Sequence, residues 1–210
     1  MKKIKISQIQ FEAKSTPAAN AKLLKKYFEK TKKFDTDLIC TPECSNIITN
    51  DIDYLKKITT FEKDCPVIIM AKLYAKENNI NINIGSLLLK VKNKKRLVNR
   101  SYFINNKGRI IKKYNKIHMF DVNISKKETH RESDTFEAGK NISLLNINKI
   151  NIGLTICYDL RFPNLFRKLA QRGAQIILMP AAFTVPSGKD HWEVMLRSRA
   201  IENSLFLVAT

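Results

Sequence analysis

Residues 3 to 11, KIKISQIQF, alternate apolar and polar side chains, the period of a strand with one buried face. The next segment, STPAANAKLLKKYFEKTKK, changes period. Leu23, Leu24, Tyr27 and Phe28 fall on one helical face and lysines cover the other. Thr16 is placed to cap this helix and Pro17 to open it. DLICTPE predicts a short buried strand ending at Pro42, and a weaker helical pattern covers 51 to 60. The middle of the chain reads as strands. PVIIMAKLY, NINIGSLLLKV and LVNRSYFIN are β-branched or alternating runs, and SYFINNKGRIIKKY predicts a hairpin turning at Asn106-Lys107-Gly108. Residues 121 to 141 are polar and aperiodic and predict a long loop, a length that often carries function in compact domains. From 142 the pattern sharpens. ISLLNINKINIGLTI is strand-rich, and Pro163 opens a helix with Leu165, Phe166, Leu169 and Ala170 on one face and Gly173 as its left-handed cap. AQIILMP predicts a buried strand, KDHWEVMLRSRAIENS a helix and LFLVAT a last buried strand.

Strands alternating with helices predict an α/β fold. The 210 residues, 44% of them hydrophobic, suit a single domain over 1–210, and no linker, low-complexity tract or internal repeat breaks the chain. No run of about 18 apolar residues is present to span a membrane. The start, MKKIKISQIQF, carries charge without an apolar h-region or a small-residue cleavage site, so it predicts a first strand rather than a signal peptide. Cysteines at 40, 44, 65 and 157 form no CxxC pair and suggest neither a zinc site nor a disulfide ladder. Reduced thiols and a cytoplasmic location are therefore expected. His118, His130 and His191 are scattered, so no metal site is expected.

The formal net charge of +19, from 38 Lys and Arg against 19 Asp and Glu, raises nucleic-acid binding as a function. The lysines are spread along the whole chain, with no Arg-rich or aromatic-interleaved stripe. A solvated basic surface is the simpler account, because net charge speaks to solubility and nonspecific binding.

Three reactive residues each follow a predicted strand: Glu43 after DLICTP, Lys116 after GRIIKKYN and Cys157 after INIGLTI. Strand ends are where α/β proteins commonly place ligands. A thiol, a carboxylate and an ammonium make a coherent set: nucleophile, general base and stabiliser of a developing oxyanion. Each also has an ordinary explanation. Free cysteines are usually core filler, a lone glutamate is a surface or capping group, and one lysine among so many says little. Spacing cannot join residues so far apart.

Their surroundings resemble the nitrilase superfamily of carbon–nitrogen hydrolases. TPE at 41–43 resembles the glutamate segment, NRSYFINNKGRIIKKYNKIHMFDV at 99–122 the lysine segment and GLTICYDLRFP at 153–163 the nucleophile segment. RESDTFEAG at 131–139 and IILMPAAFTVPSGKDHWEVMLRSRAIEN at 176–203 are similar to two further blocks. The resemblance implies Glu43 as base, Lys116 as oxyanion stabiliser and Cys157 as nucleophile. It implies Glu132 as a second carboxylate that holds the lysine and substrate, with Tyr158 lending its backbone N–H. It implies an αββα sandwich, no cofactor, a small-molecule amide substrate rather than nucleic acid or membrane, and a homodimer or higher oligomer. CYDLRFP and HWEVMLRSRAIE look most like the Nit branch, whose amidases cleave the terminal amide of 2-oxo acids or deaminated glutathione. The last block differs, because the chain stops at SLFLVAT where that family continues with closing strands and a tail. A C-terminally incomplete sandwich with an open sheet edge is thus expected, and an inactive or partner-dependent binding protein is the alternative function. Cys44 is expected to be a small wall residue beside the site, and His191 and Trp192 packing residues at a helix start.

Overall fold

The computed structural model describes residues 3–123 and 129–210. Two sheets face each other. The first contains β1 (Ile6–Gln8), β2 (Leu38–Cys40), β3 (Asn81–Leu89), β4 (Val98–Ile104) and β5 (Ile110–Asn115), in that spatial order. It is parallel from β1 to β3 and antiparallel from β3 to β5. A short ribbon of β6 (Asp121–Asn123) and β7 (Thr129–Arg131) stands apart. The second sheet has the order β11-β10-β9-β8, from β8 (Ser143–Ile147), β9 (Ile150–Leu154), β10 (Ile176–Met179) and β11 (Phe206–Ala209).

Between the sheets, Leu38, Cys40, Phe103 and Tyr114 meet Ile152, Leu154, Ile176 and Leu178. On the outer face of the first sheet lie α1 (Pro17–Thr31) and α3 (Pro66–Glu77), packed through Leu24, Phe28, Ala71 and Tyr74. On the outer face of the second lie α5 (Pro163–Gln171) and α6 (Val185–Asn203), packed through Leu165, Phe166, Leu169 and the half-buried Met195 and Leu196. The result is an αββα sandwich with apolar cores between sheets and under each helix layer. Each large side chain fully buried in them contributes on the order of 1.5–3 kcal/mol. Two short helices, α2 (Ile52–Ile58) and α4 (Glu132–Thr135), lie in connections.

The local signals act as the pattern predicts at several ends. Thr16 Oγ1 accepts from Ala19 N–H at 3.3 Å and Pro17 opens α1. Gly108, at φ +71°, closes the β4–β5 hairpin with its N–H on Asn105 O at 2.8 Å.

Other expectations are corrected. PVIIMAKLY is helix α3, not a strand. Its buried residues Val67, Ile68, Ala71, Tyr74 and Ala75 recur at helical spacing, and Pro66 opens it. A run of β-branched residues concealed that stripe. The predicted loop at 121–141 contains β6, β7 and α4, while its residues 124–128 lie outside the described ones. The β1 strand is only three residues long. The last strand is not buried: β11 is a sheet edge and Phe206 is 74% exposed. His191 sits inside α6 and is exposed; Trp192 does pack, against Phe183 at 4.9 Å between ring centroids.

Candidate active site

Glu43, Lys116 and Cys157 all lie just past strand ends, after β2, β5 and β9. The sandwich turns those ends toward one cavity of about 760 Å³. Each residue is held by its own backbone setting. The turn carrying Glu43 is tied by Ser45 Oγ to Pro42 O (2.7 Å), by Thr41 Oγ1 to Ser45 Oγ (2.8 Å) and by Cys44 N–H to Ser86 Oγ (2.9 Å). That last contact crosses to β3 beside Gly85, where a Cβ would stand 1.9 Å from Thr41 O and 2.6 Å from Pro42 O. Only a glycine lets β3 approach this closely. Lys116 continues from β5, with its N–H on Asn99 O (2.9 Å) and its carbonyl receiving Gly139 N–H (2.7 Å).

Cys157 opens a 3-10 turn (Cys157–Arg161) at φ +48°, a left-handed conformation costly for a residue with a Cβ. Its N–H donates to Pro180 O at 2.8 Å, which holds the elbow against the end of β10.

The side chains converge. Lys116 Nζ is 3.0 Å from Glu43 Oε1 and 2.9 Å from Glu132 Oε2. Asn99 Nδ2 donates to both carboxylates, at 2.8 Å to Glu43 and 3.4 Å to Glu132. Ala182 N–H donates to Glu43 Oε2 at 3.0 Å, and Phe120 N–H to Glu132 Oε2 at 2.6 Å. The Cys157 thiol and the Glu43 carboxylate line the same cavity, close enough for the carboxylate to act on the thiol electrostatically. Tyr158 N–H lies in the first turn of the 3-10 segment, where N–H groups lack an intrahelical acceptor. The Tyr158 ring meets Phe120 edge-on at 5.1 Å. Glu43, Lys116, Glu132, Cys157 and Tyr158 therefore line one cavity. Cys44 is part of the cavity wall, as expected. Among the described residues no cluster of His, Cys, Asp and Glu could hold a metal ion, and no helix is long and apolar enough to cross a membrane.

The electrostatics follow from burial and charge pairing. Burial alone would discharge Lys116, but the Glu43 and Glu132 carboxylates hold its pKa well above the ordinary lysine value. Burial pushes the Cys157 thiol well up, and the Glu43 carboxylate adds to this against the opposing pull of Lys116. The resting sulfur is thus a protonated thiol beside an acceptor carboxylate. Such a pair can pass its proton at the moment of attack, and an ammonium with a nearby backbone N–H can receive charge on oxygen. Farther out the cavity wall carries Lys56, Arg131 and Arg161. Arg161 Nη2 lies 3.0 Å from His191 Nδ1 and pairs with no carboxylate among the described residues.

Sequence reasoning did not single out Asn99, Ala182, Phe120 or Asp159. Ala182 and Phe120 act through backbone N–H groups, which leave no trace in residue type. Asn99 and Asp159 lie inside the quoted segments, where a polar residue in an otherwise apolar strand or turn is the available signal.

A two-sheet sandwich with this constellation at its strand ends is the arrangement of a known group. The carbon-nitrogen hydrolase model matches residues 4–210, and the chain belongs to that family. Within the family, its relatives put it in the Nit branch of the nitrilase superfamily. It is 37% identical over 176 residues to the deaminated glutathione amidase of Yersinia enterocolitica, covering 82% of this chain and 60% of that protein. It is 31% identical over 212 residues to omega-amidase NIT2 of Mus musculus, covering 99% of this chain and 74% of that protein. Among solved structures, Saccharomyces cerevisiae Nit3, a member of branch 10 of the nitrilase superfamily, superposes with a TM-score of 0.86 at 27% identity, over 98% of this chain and 74% of that one. The chain spans 60% of the length of the Yersinia protein and 63% of that of nitrilase homolog 2 of Dictyostelium discoideum.

Proposed function

We propose that the protein is a thiol-dependent amidase that hydrolyses a small anionic amide, of the 2-oxo acid terminal amide or deaminated glutathione type, to acid and ammonia. The observation that carries this reading is the Lys116 ammonium held between Glu43 and Glu132, with Cys157 on the wall of the same cavity. Cys157 Sγ attacks the amide carbon as its proton moves to Glu43. Lys116 Nζ and Tyr158 N–H receive the negative oxygen. The C–N bond then breaks, Glu43 returns the proton to nitrogen, and ammonia leaves a thioester behind. Water, deprotonated by Glu43, attacks the thioester; the acid departs and the thiol regains its proton. Glu132 and Asn99 keep the ammonium and the base in register. On the outer wall Lys56, Arg131 and Arg161 outnumber Asp134, a balance that favours an anionic substrate. The four free thiols suit a reducing compartment, and a cytoplasmic location is part of the proposal.

The test offers purified protein 2-oxoglutaramate and deaminated glutathione and measures ammonia. Release that disappears in Cys157→Ala is expected; release that survives it removes the thiol from the mechanism. A second reading, a partner-dependent or inactive binding protein, is supported by the exposed β11 edge and Phe206. Folded protein that releases no ammonia alone, but does so as a homodimer at higher concentration, would favour partner dependence.

A further inference from the structure

Asp159 is fully buried two residues past Cys157, and the reaction as proposed gives it no task. A buried carboxylate is costly unless its oxygens are occupied, and these oxygens are occupied by two separate segments. Asp159 Oδ2 accepts from Ile156 N–H at 2.9 Å and from the Tyr114 hydroxyl at 2.7 Å. Asp159 Oδ1 accepts from His118 N–H at 3.1 Å and lies 2.7 Å from His118 Nδ1. Ile156 belongs to the elbow that presents Cys157 at its left-handed φ. Tyr114 and His118 flank Lys116 at positions i−2 and i+2, the spacing that puts side chains on one face of an extended chain. The His118 ring is also stacked on Phe162 at 3.6 Å and 9°, so its position is fixed from both sides. Asp159, Tyr114 and His118 all lie outside the cavity wall, so none of them meets a substrate there.

We propose that Asp159 is a positioning residue that sets the separation between the Cys157 thiol and the Lys116 ammonium, because its carboxylate binds the turn carrying the first and both neighbours of the second. This rests on the amidase reading for its kinetic consequence, though not for its geometry. In Asp159→Asn one oxygen becomes a donor facing donors, so the elbow and the lysine segment lose their common anchor. A misplacement near 1 Å costs on the order of 10²-fold in rate.

The experiment compares wild type, Asp159→Asn, Tyr114→Phe, Lys116→Met and the two doubles on the Lys116→Met background. It reads kcat and KM for ammonia release, the rate of Cys157 alkylation by iodoacetamide from intact mass, and the urea midpoint. Asp159→Asn is expected to lower kcat by about 10² with KM little changed. Tyr114→Phe, which removes one of the four donors, is expected to give a smaller loss in the same direction. On the Lys116→Met background both losses should nearly vanish, since the distance they disturb no longer matters. Losses that multiply across that background, or a wild-type kcat in Asp159→Asn, overturn the proposal. Should Asp159→Asn fail to fold, Tyr114→Phe decides, and a wild-type kcat there overturns it. Should wild type release no ammonia, the amidase reading fails and alkylation decides: an altered rate in Asp159→Asn that is lost on the Lys116→Met background supports positioning, and an unaltered rate overturns it.

Discussion

Lys116 concentrates the electrostatics of the site in one side chain. It is 2% exposed and lies within 3.0 Å of one carboxylate and 2.9 Å of another, both tied to Asn99 as well. Removing one partner of a buried charge cluster leaves the others uncompensated, at a cost of about 3–5 kcal/mol. Lys116→Met is therefore expected to lower stability by that order, read as a fall in the urea midpoint. On the proposed mechanism it also removes the charge that meets the oxyanion. The kcat should fall by about 10²–10³ with KM little changed, and a change confined to KM would contradict the role. Glu43, Lys116 and Cys157 each stand just past a strand, but only the resemblance of their surrounding segments to the nitrilase superfamily joined them into one set. The donors that orient them, Ala182 N–H and Phe120 N–H, are backbone atoms and could be found only from coordinates.

Among the elements, β3 decides whether the site can close. Its register slips between Ile84 and Leu87, and Gly85 sits in that irregular stretch. A Cβ at Gly85 would meet Thr41 O, Pro42 O and, at 2.5 Å, Pro180 Cβ. Those contacts belong to the turn holding Glu43 and to the end of β10, whose Pro180 carbonyl receives Cys157 N–H. Gly85→Ala must push both away. A destabilisation of about 1–3 kcal/mol is expected from overpacking, with loss of turnover out of proportion to it, measured as kcat on folded protein. An alanine variant with wild-type kcat would show that the two turns move independently of β3. The elements themselves were legible where local chemistry was strong: the Thr16 cap, the Gly108 turn and the Gly173 end, whose N–H bonds Ala170 O at 2.8 Å. They were not legible where burial overrides propensity. In α3 the apolar run is β-branched in its first turn, and only packing against β3 and β4 makes it helical. β11 lies at the open sheet edge that was expected, but its apolar run predicts burial that the edge position does not give it.

Across the molecule, the buried thiols and phenols of the described residues are shifted in one direction. Burial raises the thiols of Cys40, Cys44, Cys65 and Cys157 and the phenols of Tyr102 and Tyr114, and it pushes Tyr74 up to about 12. Lys116 is raised too, by its carboxylates against its own burial. A group whose folded pKa lies above its unfolded value binds its proton more tightly in the native state. Its stabilisation is complete below the unfolded pKa and is lost as pH rises toward the folded one. Unfolded thiols ionise near about 8.5 and phenols near about 10, so stability should decline from about pH 8.5 upward, first through the cysteines. Each thiol that ionises only when unfolded steepens the decline by about 1.4 kcal/mol per pH unit. The net charge of +19 pulls the other way, since losing protons relieves self-repulsion, but lysines shed theirs only near about 10.4. Between about 8.5 and 10 the thiols therefore decide the outcome. Urea midpoints taken under reducing conditions at rising pH across that window should fall steadily. Cys40→Ala with Cys65→Ala, two positions off the cavity wall, should flatten the slope without touching the site. A midpoint that holds or rises across the window would mean that the buried thiols ionise as readily in the native core as in the open chain.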